Sequence, residues 1–230
     1  MVILERQKNV GIVVVGSFDP TKLTPKWLYE LNIISEKEWN GQERNLLVSS
    51  PITKFKFGEI EFLSQPNRIQ LISNDISLSN HLVNMAINIL NNYPETTYKA
   101  VGLNAGLVFT FNNSEDSLRF GRYLGHFNAM KDFFAEPRLK SVTFENNQVP
   151  TPDTPKTSIQ IQAEDNAEER AKLTKNDKEV LDKELVPVCS MQINNHYVVS
   201  NKEEVLNVVV KAEILHGEFW ERCFQFFKGI

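Results

Sequence analysis

Cysteine is scarce in this 230-residue chain, which has two, Cys189 and Cys223. They form neither a CxxC pair nor a disulfide framework, which fits a reducing compartment and inert, partly buried thiols. Histidine is nearly as rare. His81, His126, His196 and His216 are not spaced with one another, with cysteine or with carboxylates in a metal-ligand pattern such as HExxH, so no metal or cofactor is expected. Gly16, Gly102 and Gly106 build neither GxGxxG nor a P-loop with its Lys-Ser/Thr ending, which leaves nucleotide phosphate binding without support. GxSxG, the kinase set and a usable Ser/His/Asp order are also missing. Apolar runs stop short of the roughly 18 residues that span a bilayer. The segment from Met1 to Lys8 has no long hydrophobic stretch and no small-residue cleavage site. The expectation is a cytoplasmic protein without membrane contact. Basic excess is lacking as well: 25 Lys and Arg stand against 29 Asp and Glu, a formal net charge of −4. That balance disfavours a dedicated phosphate-backbone binder but leaves room for a local patch.

What the chain does contain is a loose internal echo. Val10-Gly11-Ile12 with Phe18 returns as Val101-Gly102-Leu103 with Phe109 at one constant offset. Ile69-Gln70-Leu71, Ser79 and the run Leu82 to Ile87 return as Met191-Gln192-Ile193, Ser200 and the run Val205 to Val210, with a one-residue slip. A duplication predicts two pseudo-equivalent units, 1–98 and 99–230, sharing one core in one compact domain.

The periodicity fills in each unit. Val10 to Phe18 reads as a buried strand, and Thr24-Pro25 starts a short helix carrying Trp27, Leu28, Leu31 and Ile34. From Leu46 to Asn74 the period is two, a hairpin or three-strand meander in which Gly58 interrupts the first strand as a bulge would. Ser79 caps a helix through Tyr93, closed by Pro94. In the second unit Lys99 to Phe111 is a strand, and Ser114-Glu115-Asp116 caps a helix running to about Phe134. On that helix Gly121, Gly125 and Ala129 form a strip of small residues. Leu139 to Glu145 and Thr157 to Gln162 alternate as strands around the proline-rich Val149 to Pro155, and a charged insertion occupies 146–184. Val186 to Val199 is strand again, with a turn at Asn194-Asn195. Ser200 and Glu203 then form a capping box for one helix to about Phe227.

Strand, helix, strands, helix, performed twice, resembles duplicated α+β folds of the TATA-binding-protein kind, an antiparallel sheet packed by helices. The chain also resembles a sporadically distributed, poorly characterised group of prokaryotic proteins. The residues that carry this likeness are the first strand and short helix, Val101-Gly102-Leu103, and Leu215-His216-Gly217-Glu218-Phe219. The chain has Asn104-Ala105-Gly106 where an arginine is expected in that group. The resemblance implies a fold and no established activity. It also fits an accessory or phage-defence system.

Two residue sets stand out. Arg119, Arg122 and His126 share a helix face beside Tyr123 and the glycine strip, either as a cationic rim for an anionic ligand or acidic partner or as a plain solvated face. The terminal helix carries Phe219, Trp220, Phe224, Phe226 and Phe227, too many large groups for one buried stripe. Phe219, Trp220, Phe224 and Phe227 are therefore either sandwiched in the core or form an interface with a protein partner or a second copy. The leading expectation is a non-enzymatic binding or assembly subunit. The alternatives are a nucleic-acid or nucleotide-binding sheet face, for which Lys54-Phe55-Lys56-Phe57 is the one candidate run, and an enzyme with an unrecognised site.

Overall fold

The computed structural model describes residues 3–40, 46–125, 140–164 and 188–229. Among these residues nine strands form one antiparallel sheet: β1 (Ile3–Gly16), β2 (Leu47–Ser49), β3 (Ile52–Phe57), β4 (Ile60–Gln65), β5 (Arg68–Ser73), β6 (Tyr98–Phe111), β7 (Ser141–Glu145), β8 (Lys156–Glu164) and β9 (Val188–Val198). The α-helices among the described residues are α1 (Pro25–Glu30), α2 (Glu36–Asn40), α3 (Ser79–Asn92), α4 (Ser114–Gly125), α5 (Lys202–Val209) and α6 (Ala212–Gly229). Spatial order across the sheet is β2-β3-β4-β5-β1-β6-β9-β8-β7. The long β1 and β6 pair at the middle, flanked by β5 and β9, then β4 and β8, then β3 and β7.

Alternation sends every second side chain of each strand into the core. Val10, Ile12 and Val14 of β1 pack with Phe55, Phe62, Ile69 and Leu71 against α3, whose Leu82, Met85, Ala86 and Ile89 form a buried stripe. Burying each of these side chains larger than alanine stabilises the fold by about 1.5–3 kcal/mol. A second cluster joins Leu107, Phe109 and Phe111 of β6 with Met191 of β9, Phe120 of α4 and Phe219, Cys223 and Phe227 of α6. Trp220 packs against both clusters.

Local chemistry sets the element ends. Thr24 accepts the Trp27 N–H through Oγ1 at 3.2 Å, and Pro25 opens α1. Gly58 lies in a hairpin turn rather than a bulge: Phe57 pairs with Ile60, and the φ of 54° at Gly58 suits a residue without a side chain. The stretch from Leu47 to Ser73 is therefore four strands, not two or three. Asn194 and Asn195 do not turn the chain; both lie inside β9, pointing to opposite sides. The last helix is broken into two. Val208, Val209 and Val210 are β-branched in succession, and at Lys211 the N–H bonds the Val208 carbonyl three residues back, tightening the turn. Its cap also differs from the expected box: Asn201 Oδ1 accepts the Glu204 N–H, while the Glu204 carboxylate accepts from the N–H and Oγ of Ser200. At α4 the capping oxygen is that of Asn113, which takes the Asp116 N–H at 2.8 Å.

Candidate binding face

The side of the sheet facing away from the helices is built in rows by the strand registers. Asn104 of β6 lies opposite Asn194 of β9, and Asn194 opposite Ser158 of β8. In the next row Gly106, Gln192, Gln160 and Thr143 follow one another across β6, β9, β8 and β7. Ser190, Gln162 and Ser141 continue the pattern. Gln192 and Asn194 are exposed, while Asn104, Gln160 and Ser158 are half-buried among their neighbours. The result is a grid of amides and hydroxyls able to donate and accept hydrogen bonds across four strands.

Glycines form part of its floor. A Cβ on Gly106 would lie 2.7 Å from Oδ1 of Asn9, and one on Gly102 would lie 3.4 Å from Oδ1 of Asn194. The missing side chains let both amides lie down against the backbone. On the core side of the same strand, buried Asn195 accepts the Thr157 hydroxyl at 2.8 Å, tying β8 to β9 beneath the grid.

The half of this face built by β1 and β3–β5 is different. Val13, Leu63 and Ile72 bring apolar groups to it, and Lys54, Lys56 and Arg68 bring charge, with Lys54 placed 3.9 Å from Glu61. The run Lys54 to Phe57 divides by strand alternation: Phe55 and Phe57 are buried, Phe55 stacking on Phe62 at 4.8 Å, and the lysines face the other way. An open groove of about 400 Å³ lies at the end of β5, between the Glu5–Lys8 part of β1, Glu59 and Asn74–Ile76.

The two residue sets singled out in the sequence are placed elsewhere. Arg119, Arg122 and Tyr123 project from the exposed side of α4, with the Tyr123 ring 6.0 Å from Phe226. His126 lies outside the described residues, as do Ala129 and residues 165–184 of the charged insertion, while its Lys156–Glu164 part is no insertion but strand β8 of the sheet. Among the terminal aromatics, Phe219 and Phe227 are 4% exposed within the second core cluster. Trp220 is half-buried beneath the ammonium of Lys8, 5.4 Å from its ring. Phe224 alone of the four is strongly exposed, at 62%, with the Lys228 ammonium 4.7 Å from its ring.

A buried pair lies on the helix side. His216 of α6 is 2% exposed, and its Nδ1 is 2.7 Å from the hydroxyl of Ser79 at the first turn of α3. Ser79 therefore bonds across to α6 instead of capping its own helix, and no side chain caps α3. Burial pushes the His216 pKa down to about 4, against a smaller opposing pull from the backbone of Asn104 and Gly11. Among the described residues its Nε2 meets no partner at hydrogen-bonding geometry. Burial also pushes the Cys189 and Cys223 thiols up, to about 11 and about 12. His81 reaches the Glu38 carboxylate at 3.0 Å. Among the described residues no three His, Cys, Asp or Glu side chains are grouped to hold a metal ion, and no helix is long and apolar enough to cross a membrane.

The grid escaped sequence reasoning although its signal was there. Gln192, Asn194 and His196 alternate with Met191, Ile193 and Tyr197, and Ser158, Gln160 and Gln162 alternate with Ile159 and Ile161. Such a pattern reads as an ordinary solvated side until the registers bring the strands together.

No family model matches the chain, and no curated protein matches it. Among solved structures, the rolling circle replication initiator protein from Geobacillus stearothermophilus is similar over 94% of this chain and 80% of that one, at 8% identity and a TM-score of 0.30. Similarity that low carries no argument about this chain.

Proposed function

We propose that this chain is a non-enzymatic binding or assembly subunit that receives a protein partner on the open side of its sheet. The observation that carries the reading is the grid of Asn104, Asn194, Gln192, Gln160 and Thr143, aligned across four strands and open to solvent. Amides and hydroxyls can both donate to and accept from peptide groups, and a rigid sheet holds them in fixed positions, so less order is lost on binding. We further propose that residues 1–98 and 99–230 are copies of one unit of the TATA-binding-protein kind. The symmetric spatial order of the strands about β1 and β6 supports this. Membership of the sporadic prokaryotic group, and a place in an accessory or phage-defence complex, belong to the same proposal.

The test is a tagged pull-down from the native host with the mass of the complex determined, repeated with Gln192→Arg plus Asn194→Arg and separately with Phe224→Glu. A stoichiometric protein lost only with the double substitution supports the open side. Loss only with Phe224→Glu moves the interface to the terminal helix, and a clean monomer sinks the subunit reading.

A nucleic-acid reading has one observation in its favour: Lys54, Lys56, Arg68 and Lys156 outnumber Glu61 and Glu145 on the same side of the sheet. Against it, Phe55 and Phe57 are buried and offer no stacking platform. Salt-sensitive binding to single-stranded or duplex nucleic acid would reverse this ranking.

A further inference from the structure

Strand edges that lack a ladder partner among the described residues include the outer edge of β2, the outer edge of β7, and the part of β1 from Ile3 to Asn9 that runs beyond the end of β5. Two of them carry features that deter pairing. β2 is only three residues long. The β1 edge carries Glu5, Arg6 and Lys8 and is broken by a bulge between Glu5 and Gln7. β7 has neither protection. Its five residues pair with β8 in unbroken register, contain no proline and no charge before Glu145, and leave Phe144 48% exposed on the helix side.

We infer that β7 is a self-pairing edge, through which two copies of this chain join by antiparallel strand addition. The occupant follows from the strand's own complementarity. Two copies sharing one antiparallel sheet are related by a two-fold axis perpendicular to it, and one residue lies opposite its own copy on that axis. With Thr143 on the axis, Val142 meets Phe144 of the second copy, twice, on the helix side where Val142 and Phe144 already flank Ile161 and Ile159. Ser141 then meets Glu145, whose carboxylate is held by Lys156 at 3.0 Å, so no like charges face each other. Moving the axis to Val142 instead sets Lys140 opposite Phe144 and gives up the apolar pair. The association uses one edge and leaves the amide grid open, so it stands apart from the partner-binding reading. A single short strand pair makes it concentration-dependent rather than obligate.

The test is sedimentation velocity of the full chain over a wide concentration range, for the wild type, Phe144→Lys and Leu47→Lys, with circular dichroism on each. A concentration-dependent dimer in the wild type and in Leu47→Lys, absent in Phe144→Lys, is expected. Thr143→Cys should cross-link to its own copy under mild oxidant, with Cys189 and Cys223 both buried and out of reach. A wild type that stays monomeric throughout overturns the inference. So does a dimer that survives Phe144→Lys but not Leu47→Lys, which moves the contact to β2.

Discussion

Ile12 and Leu103 lie directly opposite each other in the ladder joining β1 to β6. The first sequence echo equates the same two residues, so a two-fold axis relating the halves would pierce the sheet between them. Such an axis carries Val14 onto Ala105, and hence Ile69, the partner of Val14, onto Ile193, the partner of Ala105. The second echo equates Ile69 with Met191, two residues away on the same side of β9. The two echoes therefore imply different alignments. A slip of two preserves which side each residue faces, which is how a pattern of apolar residues can match while the true pairing differs.

The Ser79–His216 contact predicts a pH dependence. A histidine buried neutral has its folded-state pKa, about 4, below the ordinary 6.5. The unfolded chain therefore takes up the proton first as pH falls. Stability is full above about 6.5 and is lost down to about 4, by up to about 3 kcal/mol. Urea unfolding at pH 7.5, 5.5 and 4.5 should show this loss, and His216→Gln should flatten it, although that variant starts less stable. Glu38 adds a loss at lower pH. Burial disfavours its charge, but hydrogen bonds from Ser35 and His81 outweigh that and hold its carboxyl below the usual range. An unchanged slope in His216→Gln would mean that the ring titrates freely.

At the end of β1 a glycine is required for space rather than for backbone angle. A Cβ on Gly16 would lie 2.5 Å from the Thr97 carbonyl oxygen, whose position is fixed by the Ser17 N–H at 3.0 Å. Backbone cannot step aside as a side-chain tip can, so Gly16→Ala should cost about 1–3 kcal/mol, the range for overpacking. Gly58→Ala should cost about 1–2 kcal/mol for the opposite reason, since the site is open and only its positive φ objects. Gly58→Asn should recover part of that loss. Chemical denaturation separates the two causes, because Gly16→Asn should be worse than Gly16→Ala.

Much of the fold was legible because period two and period 3.6 are imposed by burial. Phe55, Phe57, Ile60 and Phe62 are all core residues, and the α3 stripe was visible residue by residue. What escaped depended on long-range partners. Asn194-Asn195 looks like a turn until β6 and β8 claim one amide on each side of the sheet. Ser79 looks like a cap until His216, distant in the chain, takes its hydroxyl. The amide grid was hidden for the same reason, since polar residues on an outward-facing side carry no signal of which strands will stand beside them.

The cysteines should be silent in the folded protein. Burial raises both thiols far above neutral pH, and Cys223 sits against the Met191 sulfur at 3.5 Å. With almost no thiolate and no access, neither should react with a disulfide reagent at pH 8 on the timescale of a free thiol. Two equivalents should react once denaturant is added. Fast reaction of one thiol in native buffer would place that part of α6 or β9 in frequent local opening.

The terminal aromatics divide into two kinds, and single substitutions should separate them. Phe227 lies 4.8 Å from the Phe109 ring and 5.8 Å from Phe120, closed within the second core cluster. Phe227→Ala leaves a cavity there and should cost about 3–5 kcal/mol. Phe224, 62% exposed with the Lys228 ammonium over its ring, should change stability by less than about 0.5 kcal/mol when cut to alanine. Urea unfolding measures both. If Phe224→Ala proved as costly as Phe227→Ala, the exposed ring would have to be packed in solution, and an assembly through α6 would account for it. If both were mild, the core around Phe109 would not need α6, and the second cluster would hold together through β6, β8, β9 and α4.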